Sequence, residues 1–347
     1  MEKNPIVSKP RIEYIDLAKG FCIILVVLRH LSNYYTYELP YPVFFKAFRM
    51  PLYFFLSGCF FKAYEGLGGF TKRKINKLLI PFIFFYILTS VIVPYIQVFY
   101  LNLKTSYLHR DEIFSAILNE SYPNQPIWFL LCLFELGIFF YLLYSIAQKF
   151  KNYTNWIICI GSLFVGIIGL TLGIFKIELP ATIDTAFSAM PFYAAGFMCF
   201  RKTNILKPNK YDKYLPLLIV LAFAIVFAFC HKKIHFLHNT YIIQSALVVY
   251  PCGLLGIYGI IMLAKLIKKL PLISFFGRYS IIILVTHIEV LNLFAAVLKY
   301  SNLNLSVGYV YLLNFVMMML SYLIIIPFMR KYMPHVTAQK DVIPVGK

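Results

Sequence analysis

Apolar residues along this chain do not alternate with polar ones. They run in blocks near 20 residues long, separated by short polar stretches. A hydrocarbon core of ~30 Å needs about 20 apolar helical residues to cross it. Blocks of this length therefore predict membrane-spanning helices, at about 15–37, 42–63, 78–101, 127–147, 155–175, 183–200, 214–230, 241–265, 272–297 and 307–329. The longest polar interval, 102–126, is too short for a folded soluble domain. The predicted fold class is an all-α membrane protein with about ten transmembrane helices. Residues 1–10 form a cytoplasmic N-terminal tail, 11–332 the transmembrane domain, and 333–347 a cytoplasmic, disordered C-terminal tail.

Lys and Arg orient these spans. With the N-terminus inside, twenty-three basic residues fall in cytoplasmic segments. Six fall on the other side: Lys104, Arg110, Lys176, Lys232, Lys233 and Lys299. Such an asymmetry over short loops predicts both termini cytoplasmic and an even number of spans. Segment 102–126 is then the longest outer loop. Its turn-forming stretch Pro123-Asn124-Gln125-Pro126 suits either a cover over an outer site or a solvated connector.

Composition agrees. Of 347 residues, 61% are hydrophobic and 14% charged, against roughly 45–50% and about 25% in soluble proteins. Mean hydropathy is +0.75. The net charge of +19 would suggest nucleic acid in a soluble protein. No basic module is present to hold nucleic acid, and basic loops beside anionic headgroups account for the charge. The seven cysteines lie in or beside apolar segments without a CxxC or Cys/His cluster. They read as small buried hydrophobes, with no metal expected. The first span has no cleavage site after it and is expected to stay in the membrane.

Chemistry concentrates in the first span. Asp16, Lys19, Arg29 and His30 sit in an otherwise apolar helix. A Lys, Asp or Arg at a bilayer-centred position costs about 2.5–3.5 kcal/mol, so an ionisable group kept there is a functional candidate. Lys19 and His30 are eleven residues apart. At ~100° and ~1.5 Å per residue they share one face, ~16 Å apart along the axis. Ile23 and Val26 lie between them. Arg29 points about 100° away and is expected to pack or pair rather than join the site. The second span holds Arg49, then Pro51, expected to kink or loosen the helix, and Ser57-Gly58, a close-packing surface. A buried Arg needs an anion, and Asp16, Glu13 and a ligand phosphate are the alternatives. In the ninth span Ser280 and His287 fall within ~20° of one face. A second intramembrane histidine favours a polar cavity over two isolated structural groups.

Together these stretches resemble the membrane-bound acyltransferase family 3, which includes bacterial glycan O-acetyltransferases. Its first-helix pattern matches Asp16, Leu17-Ala18-Lys19-Gly20 and His30. Its Met-Pro-Leu-aromatic run ending in Leu-Ser-Gly matches Met50 to Gly58. The basic stretch leading to a proline matches Arg73, Lys74 and Lys77 up to Pro81. A Trp-Phe-Leu run matches Trp128 to Leu130, with Glu135 two turns on. The closing pattern matches Gly277, Ser280 and Leu284-Val285-Thr286-His287. Two positions depart: Lys19 stands where the family often has Arg, and Arg29 where it usually has Gly.

The resemblance implies transfer of an acyl group, usually acetyl, from acyl-CoA to a sugar hydroxyl. The acceptor would be a cell-surface glycan or its lipid-linked precursor, and the setting a bacterial cytoplasmic (inner) membrane. It places His30, Asp16 and Arg49 in catalysis. Lys19, Arg73, Lys74 and Lys77 are assigned to the acetyl-CoA donor, and Ser57, Trp128, Glu135, Ser280 and His287 to substrate. The residues suit that chemistry. A hydroxyl needs a general base, for which His30 is the candidate, and cations position phosphates. Either the CoA arm threads a cavity to His30 or the acyl group is relayed through an acyl-histidine. Direct transfer in a cavity open to both sides is the expectation. The alternative is a polyprenyl-linked glycan transporter or polymerase, which leaves the Lys19–His30 spacing unexplained.

Overall fold

The computed structural model describes residues 12–37, 45–99, 123–202, 210–230, 236–237, 240–241, 243–301 and 305–345. Among the described residues the fold is all-α apart from a minimal hairpin, Phe236–Leu237 paired with Thr240–Tyr241. Among the described residues, seven helices are long and apolar enough to cross a membrane. They are Gly66–Ile96, Gln125–Lys149, Lys151–Ile174, Asp212–Phe229, Tyr250–Ile267, Ser280–Tyr300 and Val307–Tyr332. Three other predicted spans correspond to α1 (Glu13–Tyr35), α2 (Arg49–Cys59) and the helix over Ile183–Lys202.

The third predicted span starts earlier than expected. It comprises α3 (Gly66–Lys74), α4 (Ile80–Ile87) and α5 (Val93–Phe99), joined without a break by π-helical turns at Ile75–Leu79 and Leu88–Ile92. The basic stretch Lys72–Lys74 ends α3, so the helix runs through its polar end. Then follow α6 (Trp128–Lys149), α7 (Thr154–Ile174), α8 (Ile183–Lys202), α9 (Leu215–Cys230) and α10 (Ile243–Ile267). The predicted ninth span is two helices, α11 (Pro271–Arg278) and α12 (Ser280–Tyr300), and α13 (Val307–Tyr332) follows. Tyr279, at φ −113° and ψ 26°, leaves the helical region and breaks the run.

α1 lies at the centre, packed on α2, α10, α11, α12 and α13. Glycines set its closest crossing. A Cβ on Gly277 would collide with the carbonyl oxygen of Asp16, and one on Gly20 with that of Ile273. A second such crossing joins α2 to α8: Gly58 abuts the Tyr193 carbonyl and Gly196 the Phe55 carbonyl. Small residues let membrane helices approach this closely, and the expected packing role of Gly58 is met here. Pro51 introduces no kink. It sits in the first turn of α2, where the amide it lacks would have had no intrahelical partner. Beneath this pair the Phe61 ring lies 5.0–6.4 Å from the rings of Phe70, Phe140, Tyr144, Tyr193 and Phe197, joining α3, α6 and α8.

The tail after Tyr332 is folded, contrary to the expectation of disorder. The Asn76 amide donates to the Ile343 carbonyl at 2.8 Å and its oxygen accepts from the amides of Val342 and Ile343. Asn76 is fully buried. Lys77 Nζ donates to the Ala338 carbonyl and pairs with Asp341, both at 2.9 Å. Composition reads these residues as polar tail, and only the tertiary fold brings Asn76 to meet their backbone.

Candidate acyl-transfer site

Three cavities follow one another along α1. The first, about 550 Å³, is lined by Asp16, Lys19, Lys62 and Arg201. The second, about 310 Å³, is lined by Lys19, Ile23, Ser57, Lys74 and Ser280. The third, about 300 Å³, is lined by Val26, Arg29, His30, Arg49, Gln125, Trp128 and Thr185. Lys19 belongs to the first and second, and Leu284 to the second and third. The predicted stripe of Lys19, Ile23, Val26 and His30 therefore faces one track of space over the ~16 Å of helix between its polar ends.

His30 meets His287 of α12, with ring centroids 5.0 Å apart. His287 is fully buried. Its Nδ1 lies 2.9 Å from the Ile283 carbonyl and 3.0 Å from that of Leu284. Carbonyl oxygens only accept, so Nδ1 carries the proton and Nε2 is left as an acceptor. Nε2 is buried with no hydrogen-bond partner among the described residues. α13 braces this face: the Thr286 hydroxyl lies 3.1 Å from Tyr322 Oη, and Asn314 donates to Tyr35 Oη at 2.8 Å. The predicted Pro123–Pro126 turn is tied in as well. Asn124, fully buried, donates to the Val285 carbonyl at 2.8 Å. That bond fixes Gln125 and Trp128 at the rim of the His30 cavity. Residues 102–122 of the predicted outer loop lie outside the described residues.

Several sequence-based expectations are redistributed. Ser57, Ser280, Lys19 and Lys74 come together around the second cavity, and Trp128 and Arg49 join His30 around the third. Asp16 does not join them. It lies 14 residues before His30, ~21 Å along α1, and its carboxylate sits 3.5 Å from Arg278 Nε. Arg278 also reaches Glu13 at 3.3 Å. The expected pairing of Arg49 with Asp16 or Glu13 is thus replaced by one with α11, because the glycine crossing presses α11 against the start of α1. Arg73 stacks over the Tyr64 ring at 4.3 Å, and Lys77 is taken by the tail, so neither lines a cavity with Lys74. Lys62 and Arg201 supply the additional cations instead. Glu135 lies outside the His30 cavity and accepts the Thr182 hydroxyl at 2.6 Å, anchoring the segment that leads to Thr185.

Arg29 was expected elsewhere and lines the His30 cavity. A long guanidinium side chain covers the 100° step between neighbouring positions. The signal was present in the sequence, since an Arg kept inside an apolar helix is a functional candidate in its own right. Lys46, inside the predicted span 42–63, carried the same signal, and Gln125 and Thr185 carried none.

Residues 12–329 match the family model described as an acyltransferase domain, that of acyltransferase family 3. No curated protein and no solved structure matches the chain. A chain matched over nearly its whole length, built of apolar helices around a histidine-bearing cavity, belongs to acyltransferase family 3 and is a membrane acyltransferase.

Proposed function

We propose that this protein moves an acyl group, acetyl in the first instance, from acyl-CoA to a hydroxyl of a cell-surface glycan or its lipid-linked precursor. The setting is a bacterial cytoplasmic membrane, with the Lys19 end of α1 on the cytoplasmic side. One observation carries the reading: His30 lines the third cavity, which shares Leu284 with the cation-lined cavities that follow α1 from the Lys19 end, and the buried His287 ring backs it at 5.0 Å. Donor and acceptor can approach such a point from opposite sides, and direct transfer then needs no acyl-histidine relay.

Each step follows from residues at that point. Lys19, Lys62, Lys74 and Arg201 offer charge-assisted contacts to the donor phosphates. His30 takes the acceptor hydroxyl proton as the oxygen bonds to the thioester carbonyl carbon. Arg49 faces the oxyanion that forms. The carbon–sulfur bond then breaks, and His30 returns its proton to the departing thiolate. His287, protonated at Nδ1, offers Nε2 as an acceptor to the neighbouring imidazole. Nε2 has no partner among the described residues; a hydrogen bond accepted there from His30 would select the tautomer whose free lone pair faces the cavity.

Radiolabelled acetyl-CoA incubated with the purified protein and glycan acceptor tests this. Label should pass to the acceptor with the wild type and not with His30→Ala, although the variant inserts and folds. Undiminished transfer by His30→Ala removes the central claim. Mass spectrometry of surface glycan from a deletion strain identifies the acceptor.

A further inference from the structure

The third cavity holds more positive charge than the transfer step uses. Arg29 and Arg49 both line it beside His30. Among the described residues no carboxylate lines this cavity. Two guanidiniums in a small, partly apolar space repel each other, and a desolvated guanidinium is stable only with an anion or several acceptors around it. The oxyanion of the transfer step is transient and single. It cannot balance two permanent cations before the donor and acceptor have reacted. The donor phosphates are matched by Lys19, Lys62, Lys74 and Arg201 around the other two cavities, ~16 Å away along α1. An anion that arrives with the acceptor would balance both guanidiniums.

We infer that the acceptor carries a fixed oxyanion, a carboxylate or phosphate, close to the hydroxyl that is acylated, and that Arg29 is the residue that selects it. This rests on the acyltransferase reading above and adds the acceptor's chemical class to it. The planar guanidinium fork binds carboxylate and phosphate through two parallel hydrogen bonds, which a lysine cannot do. The rest of the cavity suits a saccharide. The Trp128 ring supplies an apolar face, and Gln125 and Thr185 supply hydrogen-bonding groups. Two sources share the required chemistry: an acidic sugar, and the diphosphate of a lipid-linked sugar.

Binding can be read apart from catalysis. The chain has two tryptophans. Trp128 lines the cavity, while Trp156 is 68% exposed on α7. A Trp156→Phe background isolates the Trp128 fluorescence. Full-length protein in nanodiscs is titrated with octyl glucuronide against octyl glucoside, and with farnesyl diphosphate against farnesol. One anionic probe should bind about 10- to 100-fold more tightly than its neutral partner, the span expected of a charge-assisted contact. Arg29→Gln should abolish that preference with the Trp128 emission of the free protein unchanged. Preference for the glucuronide identifies an acidic sugar, and preference for farnesyl diphosphate identifies a lipid-linked diphosphate. Equal binding of charged and neutral probes overturns the inference, as does absence of binding by both anionic probes. So does an Arg29→Gln variant that keeps the preference and instead raises the KM for acetyl-CoA. Anion-selective binding without acetyl transfer would sink the acyltransferase reading alone. Acetylation of neutral and charged acceptors with equal efficiency would sink this inference alone.

Discussion

Replacing Asn76 with Ala should release the C-terminal tail without unfolding the membrane domain. The side chain makes three hydrogen bonds to the tail: one donated to the Ile343 carbonyl, and two accepted from the Val342 and Ile343 amides, at 2.8–2.9 Å. Each bond contributes roughly 0.5–1.5 kcal/mol net. Val342 is 52% exposed, so water can re-solvate part of what is lost, and the lower half of the range applies. The sum is about 2 kcal/mol, or roughly 30-fold in the opening equilibrium. Hydrogen–deuterium exchange with mass spectrometry reads this directly. In Asn76→Ala, peptides covering 338–345 should exchange roughly 30-fold faster, as a local opening, while peptides from α6 and α12 keep their rates. Unchanged exchange in the tail would refute the clamp. Faster exchange throughout the protein would mean that Asn76 supports the π-helical turn Ile75–Leu79 and not the tail.

Two further outcomes separate positioning from packing. His287→Asn keeps an amide near the Ile283 carbonyl but removes the Nε2 acceptor proposed to orient His30. It should lower kcat by about 10- to 100-fold, part of the usual general-base contribution, with both KM values unchanged. His287→Gln, which can place an acceptor at the Nε2 level, should recover part of the rate, and equal activity of the Asn and Gln variants would exclude the orienting role. Gly277→Ala should destabilise the α1–α11 crossing by about 1–3 kcal/mol, because its Cβ collides with the Asp16 carbonyl. A thermal-unfolding midpoint equal to wild type would show that α11 can slide, and that the Arg278–Asp16 pair is not held by the glycine.

Much of the site was legible because helical phase is a local property. Lys19, Ile23, Val26 and His30 follow from counting residues on α1, and all four line the cavities. Ser280 followed in the same way and lines the second cavity, whereas His287, expected at the substrate, lies fully buried behind His30 and lines none of the three cavities. Arg29 was misassigned because phase fixes where a Cβ points and not how far a long side chain reaches. The partner of Asp16 was missed for a different reason. Glu13, Asp16 and Arg49 belong to the first two helices, whereas Arg278 is brought in from near the other end of the chain by a glycine contact between distant segments.

The sequence by itself determined that this is a helical membrane protein, that its first helix carries a basic group and an imidazole on one face, and which family it resembles. These follow from hydropathy, from 3.6-residue periodicity and from the order of short motifs, all of which act within one segment. Only the tertiary structure decided that His30 faces His287, that Arg29 and Arg49 share its cavity, that Lys62 and Arg201 line the first cavity with Lys19, and that the tail docks on Asn76. Each of those depends on close approach between helices far apart in the chain. Backbone-level glycine contacts and buried hydrogen bonds set that approach, and a pattern read along one segment does not contain them.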